Sequence, residues 1–447
     1  MKRLASIASI FLILALLISC STTGDEKPSL PAAEVSPVIE EIDYASSVSL
    51  NWASDSFKEI VTVKSYVDGD TTHFYVPDLV SETGVLKARY LAVNTPESTG
   101  KIEEYGKKAA QFTREKLTSA AEIVIESDSS TLNLDSTGDR HLLWIWYREE
   151  GSEEFRNLNI ELLQNGLAIA SSSANNRYGS VCTSAIAQAK ALKKNVYSGQ
   201  KDPDFYYGEA VELTLKELRA NSDQYNGIKV AFEGVITKNN NNSVYIEEYD
   251  PETGMYYGIS IYYGFGLSGE GLDILKVGNR SRIVGTLQFY EAGGTYQISG
   301  LTYRQMKPKD PNNIQRISTG HSGAYVLVDA YTFNNGSVEV LDEEGNEKIL
   351  SWAEAAMNTT VRMENLEVVD VYTTTDEASS SYGALTLTCK SGDEFVAVRT
   401  IVLYDENKNL ITEDVYRGKT IDVQGIVDYF SGDHQIKVFS TADIIVH

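Results

Sequence analysis

A stretch near the middle of the chain, VGNRSRIVGTLQFYEAGGTYQIS from Val277, is written again near the end as RGKTIDVQGIVDYFSGDHQIK from Arg417. Gly278 and Gly285 in the first copy have the same spacing as Gly418 and Gly425 in the second, and each copy continues with an aromatic pair, a Gly turn and Gln-Ile. Alternating β-branched and aromatic residues around such a turn read as two paired strands. The copies differ in length only in the turn, where insertions are tolerated. Each follows further alternating segments, IKVAFEGVITK and SVYIEEY in the first, TVRMENLEVVDVY and ALTLTCK in the second. The repeat predicts two small β-barrels of OB-like kind, over residues 205–310 and 311–447.

The chain before them reads differently. EIVTVKSYV, THFYV, LKARYLAV, AEIVIES and HLLWIWY are five short β-branched or aromatic runs broken by Gly, Asp and Asn. YGKKAAQFTREKL, NLNIELLQNGLA and TSAIAQAKALKKNVY place apolar residues at three- and four-residue spacings, as amphipathic helices do. Residues 55–200 are therefore expected to form a five-stranded OB-type barrel with three helices, and KDPDFYYG a linker after it. The expected class for the whole chain is mainly β with α.

At the N-terminus Lys2-Arg3 precede an apolar run, Leu4 to Ile18, that ends in LISC at Cys20. A charged start, a short apolar core and a small residue before a cysteine mark a secretory signal over residues 1–20, too short to span a membrane. Leu17-Ile18-Ser19-Cys20 resembles the bacterial lipobox, which implies lipidation at Cys20 and a cell-envelope address. STTGDEKPSLPAAEVSP continues it with little to bury, so residues 21–54 are assigned to a flexible tether. Apart from Cys20 only Cys182 and Cys389 are present, too few for a disulfide framework. Of the net charge of −24, more than half lies in residues 311–447, with 9 basic and 22 acidic side chains. That segment is a poor partner for polyanions, whose binding requires clustered Lys and Arg. Residues 205–310 are closer to neutral, and their tyrosines, Tyr245, Tyr249, Tyr256, Tyr257, Tyr262 and Tyr263 among them, serve mainly as core. Weak binding of single-stranded DNA at most is expected of residues 205–310, and none of residues 311–447.

Chemistry concentrates in the first barrel. VDGDT puts Asp68 and Asp70 astride Gly69, LKARYLAVNTPES carries Arg89 on a strand and Asn94, Thr95 and Glu97 in the turn that ends it, and GDRHLLWIWY opens with Arg140. Hard oxygens suit calcium or magnesium, and paired arginines grip phosphate bidentately. Together they point to phosphodiester hydrolysis. His73, Cys182 and the acidic turn LDEEGNE are left as packing or solvated features, since none has the spacing of a metal loop or a partner for catalysis.

The ordered set VDGDT, ARYLAVNTPES, YGKKAAQFTREKL, GDRHLLWIWY, LNIELLQNGLA and AQAKALKKNVYSG resembles the staphylococcal nuclease (thermonuclease) family. The resemblance implies that Asp70 ligates calcium with Asp68 in support, that Asn94 stands at a second ligand position and Thr95 offers its backbone carbonyl. It further implies that Glu97 orients or deprotonates the attacking water, and that Arg89 and Arg140 hold the scissile phosphate. Three departures stand out. Asn94 has lost the negative charge of the family's aspartate, the DSTGD turn before Arg140 is longer and lacks an aromatic residue, and SSSANN occupies the place of the tyrosines that line the nucleotide pocket. Weaker metal binding and weak affinity for a terminal nucleotide are the expected results.

The expected function is a calcium-dependent nuclease outside the cytoplasm, hydrolysing DNA and, as a second substrate, RNA, and held to a membrane through Cys20 with no protein partner. The alternative is a surface-anchored binding or scaffold lipoprotein whose nuclease barrel has decayed.

Overall fold

Five runs of alternating or wholly apolar residues build the first barrel: β1 (Lys58–Tyr66), β2 (Thr71–Tyr75), β3 (Val85–Tyr90), β5 (Ala120–Glu126) and β6 (His141–Glu149), with the two-residue β4 (Val93–Asn94) beside them. In this computed structural model, which describes residues 40–447 apart from 265, 292, 377 and 378, β1, β2 and β3 form an antiparallel meander. β1 also pairs with β5, and β5 with β6. A parallel pair, β3 with β6, closes the ring. This is the strand order of an OB barrel. Leu143 to Tyr147 on β6 are all buried, because one face of the strand meets the barrel interior and the other meets α2 (Leu158–Gln164) and α3 (Gly179–Ala191). A strand covered on both faces reads as an unbroken apolar run. β7 (Phe155–Asn157) pairs with β6, β8 (Ile169–Ala170) pairs with β4, and α1 (Gly106–Thr118) lies between β4 and β5 in the chain.

The next two barrels repeat the order. In the middle one, β10 (Lys229–Asn240), β11 (Ser243–Asp250) and β12 (Met255–Tyr262) form the meander, β13 (Arg280–Tyr290) pairs with β10, and β12 runs parallel to β14 (Thr295–Ser299). In the last, β19 (Thr360–Thr373), β20 (Leu385–Ser391), β21 (Glu394–Thr400), β22 (Thr420–Phe430) and β23 (Asp433–Val438) do the same, with β21 parallel to β23. The sequence repeat is the hairpin β13–β14 against β22–β23. A Cβ on Gly285 would lie 2.5 Å from Ile298 Cγ2 and one on Gly425 2.7 Å from Ile436 Cγ2, so both glycines let the fourth strand cross closely over the fifth. The repeat also extends further than the sequence shows. A two-residue strand parallel to the first barrel strand, β9 (Val211–Glu212) or β16 (Val326–Leu327), is followed by a short capped helix, α4 (Leu215–Ala220) or residues Ala330–Asn335, in both copies.

Two boundaries differ from the sequence expectation. β15 (Gln315–Ser318) pairs with β13, and the hairpin of β17 (Ser337–Leu341) and β18 (Glu347–Ser351) buries Val340 and Leu350 in the middle core. Residue 311 is therefore a turn inside the middle barrel's wrapping and not a domain edge. Residues 41–54, assigned to the tether, instead lie on the first barrel. Gln188 exchanges two hydrogen bonds of 2.8 Å with the backbone of Ile42, Gln164 accepts from Ala45 N at 3.0 Å, and Ala45 is fully buried. Tyr44, Val48 and Leu50 also pack against the barrel core, so side-chain and main-chain contacts together hold the segment. The signal, Cys20 and residues 21–39 lie outside the described residues, and among the described residues no helix is long and apolar enough to cross a membrane.

The middle and last barrels share a polar seam. Glu247, buried on β11, accepts hydrogen bonds from Ala324 N and Thr360 N, both at 2.7 Å, and from the Thr360 hydroxyl. Burial raises its carboxyl above the ordinary range even against those donors. Of the tyrosines expected in the core, Tyr257 and Tyr245 are buried, whereas Tyr249 and Tyr262 stand open to solvent.

Candidate active site

The Asp-Gly-Asp turn is the β1–β2 hairpin, closed by Val67 N and Asp68 N donating to Thr71 O. Gly69 is required by its neighbours: a Cβ there would come within 2.9 Å of Ala109 on α1 and of the Thr95 side chain. Helix α1 grips the turn directly, the buried Thr113 hydroxyl donating to Gly69 O at 2.6 Å. Asp70 is consequently 1% exposed, with each carboxylate oxygen engaged. One oxygen accepts from Thr95 N at 2.8 Å, and the other pairs with the Arg89 guanidinium and receives the Thr71 hydroxyl at 3.2 Å. Asp68 accepts from Asp70 N at 3.1 Å and so buttresses the turn.

Strand β3 delivers Arg89, and the pairing of β4 with β8 fixes Asn94 opposite Ile169. The guanidinium spans the two, its other nitrogen donating to Asn94 Oδ1 at 2.6 Å. Glu97 stands on the following loop, part of its surface open to solvent and its carboxyl partly enclosed. Its carbonyl accepts from Glu103 N at 2.9 Å and rests on Gly106 at the start of α1, where a Cβ would penetrate that carbonyl oxygen. The loop is held from outside as well. Gln288 Nε2 of the middle barrel donates to Ser98 O at 3.0 Å, and the buried Ser299 hydroxyl donates to Gly100 O at 3.0 Å. No signal in the sequence pairs those residues with the loop, because they lie some two hundred positions apart and on a different barrel.

Arg140 is oriented by Asp135 in its own turn, with Nε at 2.8 Å and Nη2 at 2.7 Å from one carboxylate oxygen. Against the cost of partial burial, hydrogen bonds from Thr137 and Arg140 hold the Asp135 carboxyl at about 2. Electrostatics ties the side chains together. Burial pushes the Asp68 carboxyl up while Arg89, Thr71 and Arg140 oppose it; burial and then Asp68 push Glu97 up while Arg89 and Arg140 oppose; and burial lowers Arg89 while Asp68 restores part of it. All the residues singled out for chemistry except Cys20 therefore meet in one field at one end of the first barrel. Residues 87–199 match the family model described as staphylococcal nuclease homologue. That stretch is a staphylococcal-nuclease-like domain. The match holds Arg89, Asn94, Thr95, Glu97 and Arg140, while Asp68 and Asp70 reach the site from the hairpin that precedes it. No curated protein matches the chain.

The donor chemistry of the nuclease domain suits a hard cation: the Asp70 carboxylate, the Asn94 amide oxygen and the Thr95 carbonyl, with Asp68 behind them. Among the described residues no group of three or more His, Cys, Asp or Glu gathers for a metal. Negative charge is thus limited to the two aspartates, and Arg89 neutralises part of it. A cation at Asp70 would compete with that guanidinium. The SSSANN segment presents no aromatic ring, and the nearby Tyr178 is spent on structure, its hydroxyl donating to the buried Glu126 at 3.0 Å. Trp146 Nε1 donates to the same carboxylate at 2.9 Å, which fastens α3 to the barrel. Cys182 is buried in the core with its thiol pushed up to about 12, and His73 contacts Ser65 on the barrel surface. Neither belongs to the site.

Proposed function

We propose that the protein is a calcium-dependent nuclease hydrolysing phosphodiester bonds of DNA, and of RNA as a second substrate, outside the cytoplasm, anchored through a lipid on Cys20. The observation that carries this reading is the convergence of Asp70, Arg89, Glu97 and Arg140, drawn from three separate stretches of sequence, on one end of the nuclease barrel.

Asp70, Asn94 and the Thr95 carbonyl would hold the calcium ion, which when bound supplies positive charge beside the scissile phosphate. Arg89, freed from Asp70, and Arg140 grip the phosphate oxygens, and their donors complement the charge that grows on those oxygens in the transition state. Glu97 takes the proton of a water that attacks phosphorus in line. The new P–O bond forms as the ester P–O bond breaks, the leaving oxygen takes a proton from solvent, and Glu97 returns its own proton to solvent. A carboxylate raised by burial is a better base for this step than an ordinary one.

One departure favours the rival, a non-catalytic binding lipoprotein: Arg89 bridging Asp70 to an uncharged Asn94 describes a site able to satisfy itself without a cation. The test is digestion of plasmid and single-stranded DNA by the full-length protein with calcium, magnesium or chelator, beside Glu97→Ala. Cleavage that needs calcium and drops by at least ~10²-fold in the variant is expected, the size typical of losing a general base. A folded protein that cuts nothing under any metal establishes the rival.

A further inference from the structure

A groove of about 1220 Å³ runs between the nuclease barrel and the middle barrel. It begins at the catalytic end, where Asp68 and Ser98, the residue after Glu97, both line it. Pockets for one small molecule hold roughly 300–1,000 Å³, so this space suits a chain of several units.

Its charge opposes that of the whole molecule. Lys101, Lys107, Arg114, Lys229 and Arg304 line it against three acids, Asp68, Asp204 and Glu291, within a chain of net charge −24. Arg114 pairs with Glu291 and Arg304 with Asp310, so the open positive charge is that of Lys101, Lys107 and Lys229. Lys101 and Lys107 have no ion pair among the described residues, and the Lys229 amine has only a 3.4 Å contact with Asn312. Aromatic rings stand among these amines. Tyr207 on the linker and Tyr262, Phe289 and Tyr290 at strand ends of the middle barrel are 37–49% exposed. Aromatic faces left open beside uncompensated amines fit unstacked bases and their phosphates. A duplex has its bases already stacked and cannot use them.

We infer that this groove is a track for single-stranded polynucleotide, leading to the cleavage site, with the middle barrel as the binding module. The assignment rests on the nuclease reading for its direction, because the track ends at the catalytic turn. On this reading residues 205–310 by themselves bind weakly, because Lys101, Lys107 and Arg114 come from the other wall.

The test measures binding by full-length protein in chelator, where cleavage does not interfere. A fluorescein-labelled oligothymidylate of about twelve nucleotides, within the ~4–16 that an OB fold covers, is titrated by anisotropy at two salt concentrations. The lysine pair Lys101→Ala/Lys107→Ala should weaken binding about 10-fold and lower the salt slope by ~1.4, at about 0.7 per phosphate for single strands. The tyrosine pair Tyr262→Ala/Tyr290→Ala should weaken it ~10-fold with the slope kept, and a duplex of equal length should bind at least ~10-fold more weakly than the single strand. Melting temperatures unchanged in both variants confirm that they fold. Absent binding, binding indifferent to both variants, or equal affinity for polyglutamate overturns the track. An oligoribonucleotide of the same length shows which sugar is preferred. Cleavage of bis(p-nitrophenyl) phosphate by the unaltered protein reads the nuclease chemistry separately, so binding without hydrolysis keeps the track and removes the nuclease.

Discussion

Gly106 shows how one missing side chain sets the geometry of the candidate base. The Glu97 carbonyl rests on it, so Gly106→Ala forces loop and helix apart while leaving the barrel core untouched. A displacement of about 1 Å at a catalytic group costs ~10²-fold in rate. Plasmid cleavage by the variant should fall by that order with its circular dichroism unchanged, and full activity would mean that Glu97 is not held where the chemistry happens. Most site residues were readable singly, since Asp68, Asp70, Arg89, Glu97 and Arg140 each sit at a turn or strand end. Asp135 was not. Both Asp135 and Asp139 stand in the turn before Arg140, and only the fold assigns Asp139 to Lys87, at 2.8 Å, leaving Asp135 for the arginine.

Segment 41–54 docks because two glutamines hold its main chain while Tyr44, Val48 and Leu50 pack on the barrel core. A glutamine on a helix looks solvated in sequence, and nothing but packing shows that Gln164 and Gln188 turn inward to main-chain groups. Asp43 adds a bidentate pair with Arg156, at 2.8 and 3.1 Å, and a bond from Gln164 at 3.0 Å. Partial burial raises its carboxyl, but Arg156 and Gln164 prevail and hold it down to about 2. A carboxyl depressed on folding stabilises the docked segment fully above its ordinary value of 3.8, and loses that contribution as pH falls from there toward about 2. Protection of amides 41–54, taken relative to the intrinsic exchange rate at each pH, should therefore fall over that window in the native protein. In Asp43→Asn the segment should already exchange fast at pH 5, and the two proteins should converge near pH 2. A constant difference between them would assign the docking to the glutamines alone.

Across the whole molecule, the middle barrel acts on the nuclease domain through the loop after Glu97. Gln288 and Ser299 supply two hydrogen bonds to carbonyls on that loop, and Glu247 joins the same barrel to the last one. A net hydrogen bond is worth ~1 kcal/mol, about a fivefold change in an equilibrium. Gln288→Ala should speed exchange of amides 98–101 about fivefold and reduce DNA cleavage, while global unfolding shifts little. Unaltered exchange there would show that the loop needs no support from its neighbour.

The sequence by itself determined the three barrels and the order of the chemistry along the first. Strand periodicity, turn glycines and the repeated hairpin are local properties, written within a few residues of where they act. The tertiary structure alone decided that residues 41–54 dock, that residues 311–318 belong to the middle barrel, and that a cationic, aromatic groove opens beside the Asp68–Asp70 turn. Each of those depends on contacts between positions far apart in the chain, where a side chain's partner is set by packing and burial and leaves no periodic trace in the sequence.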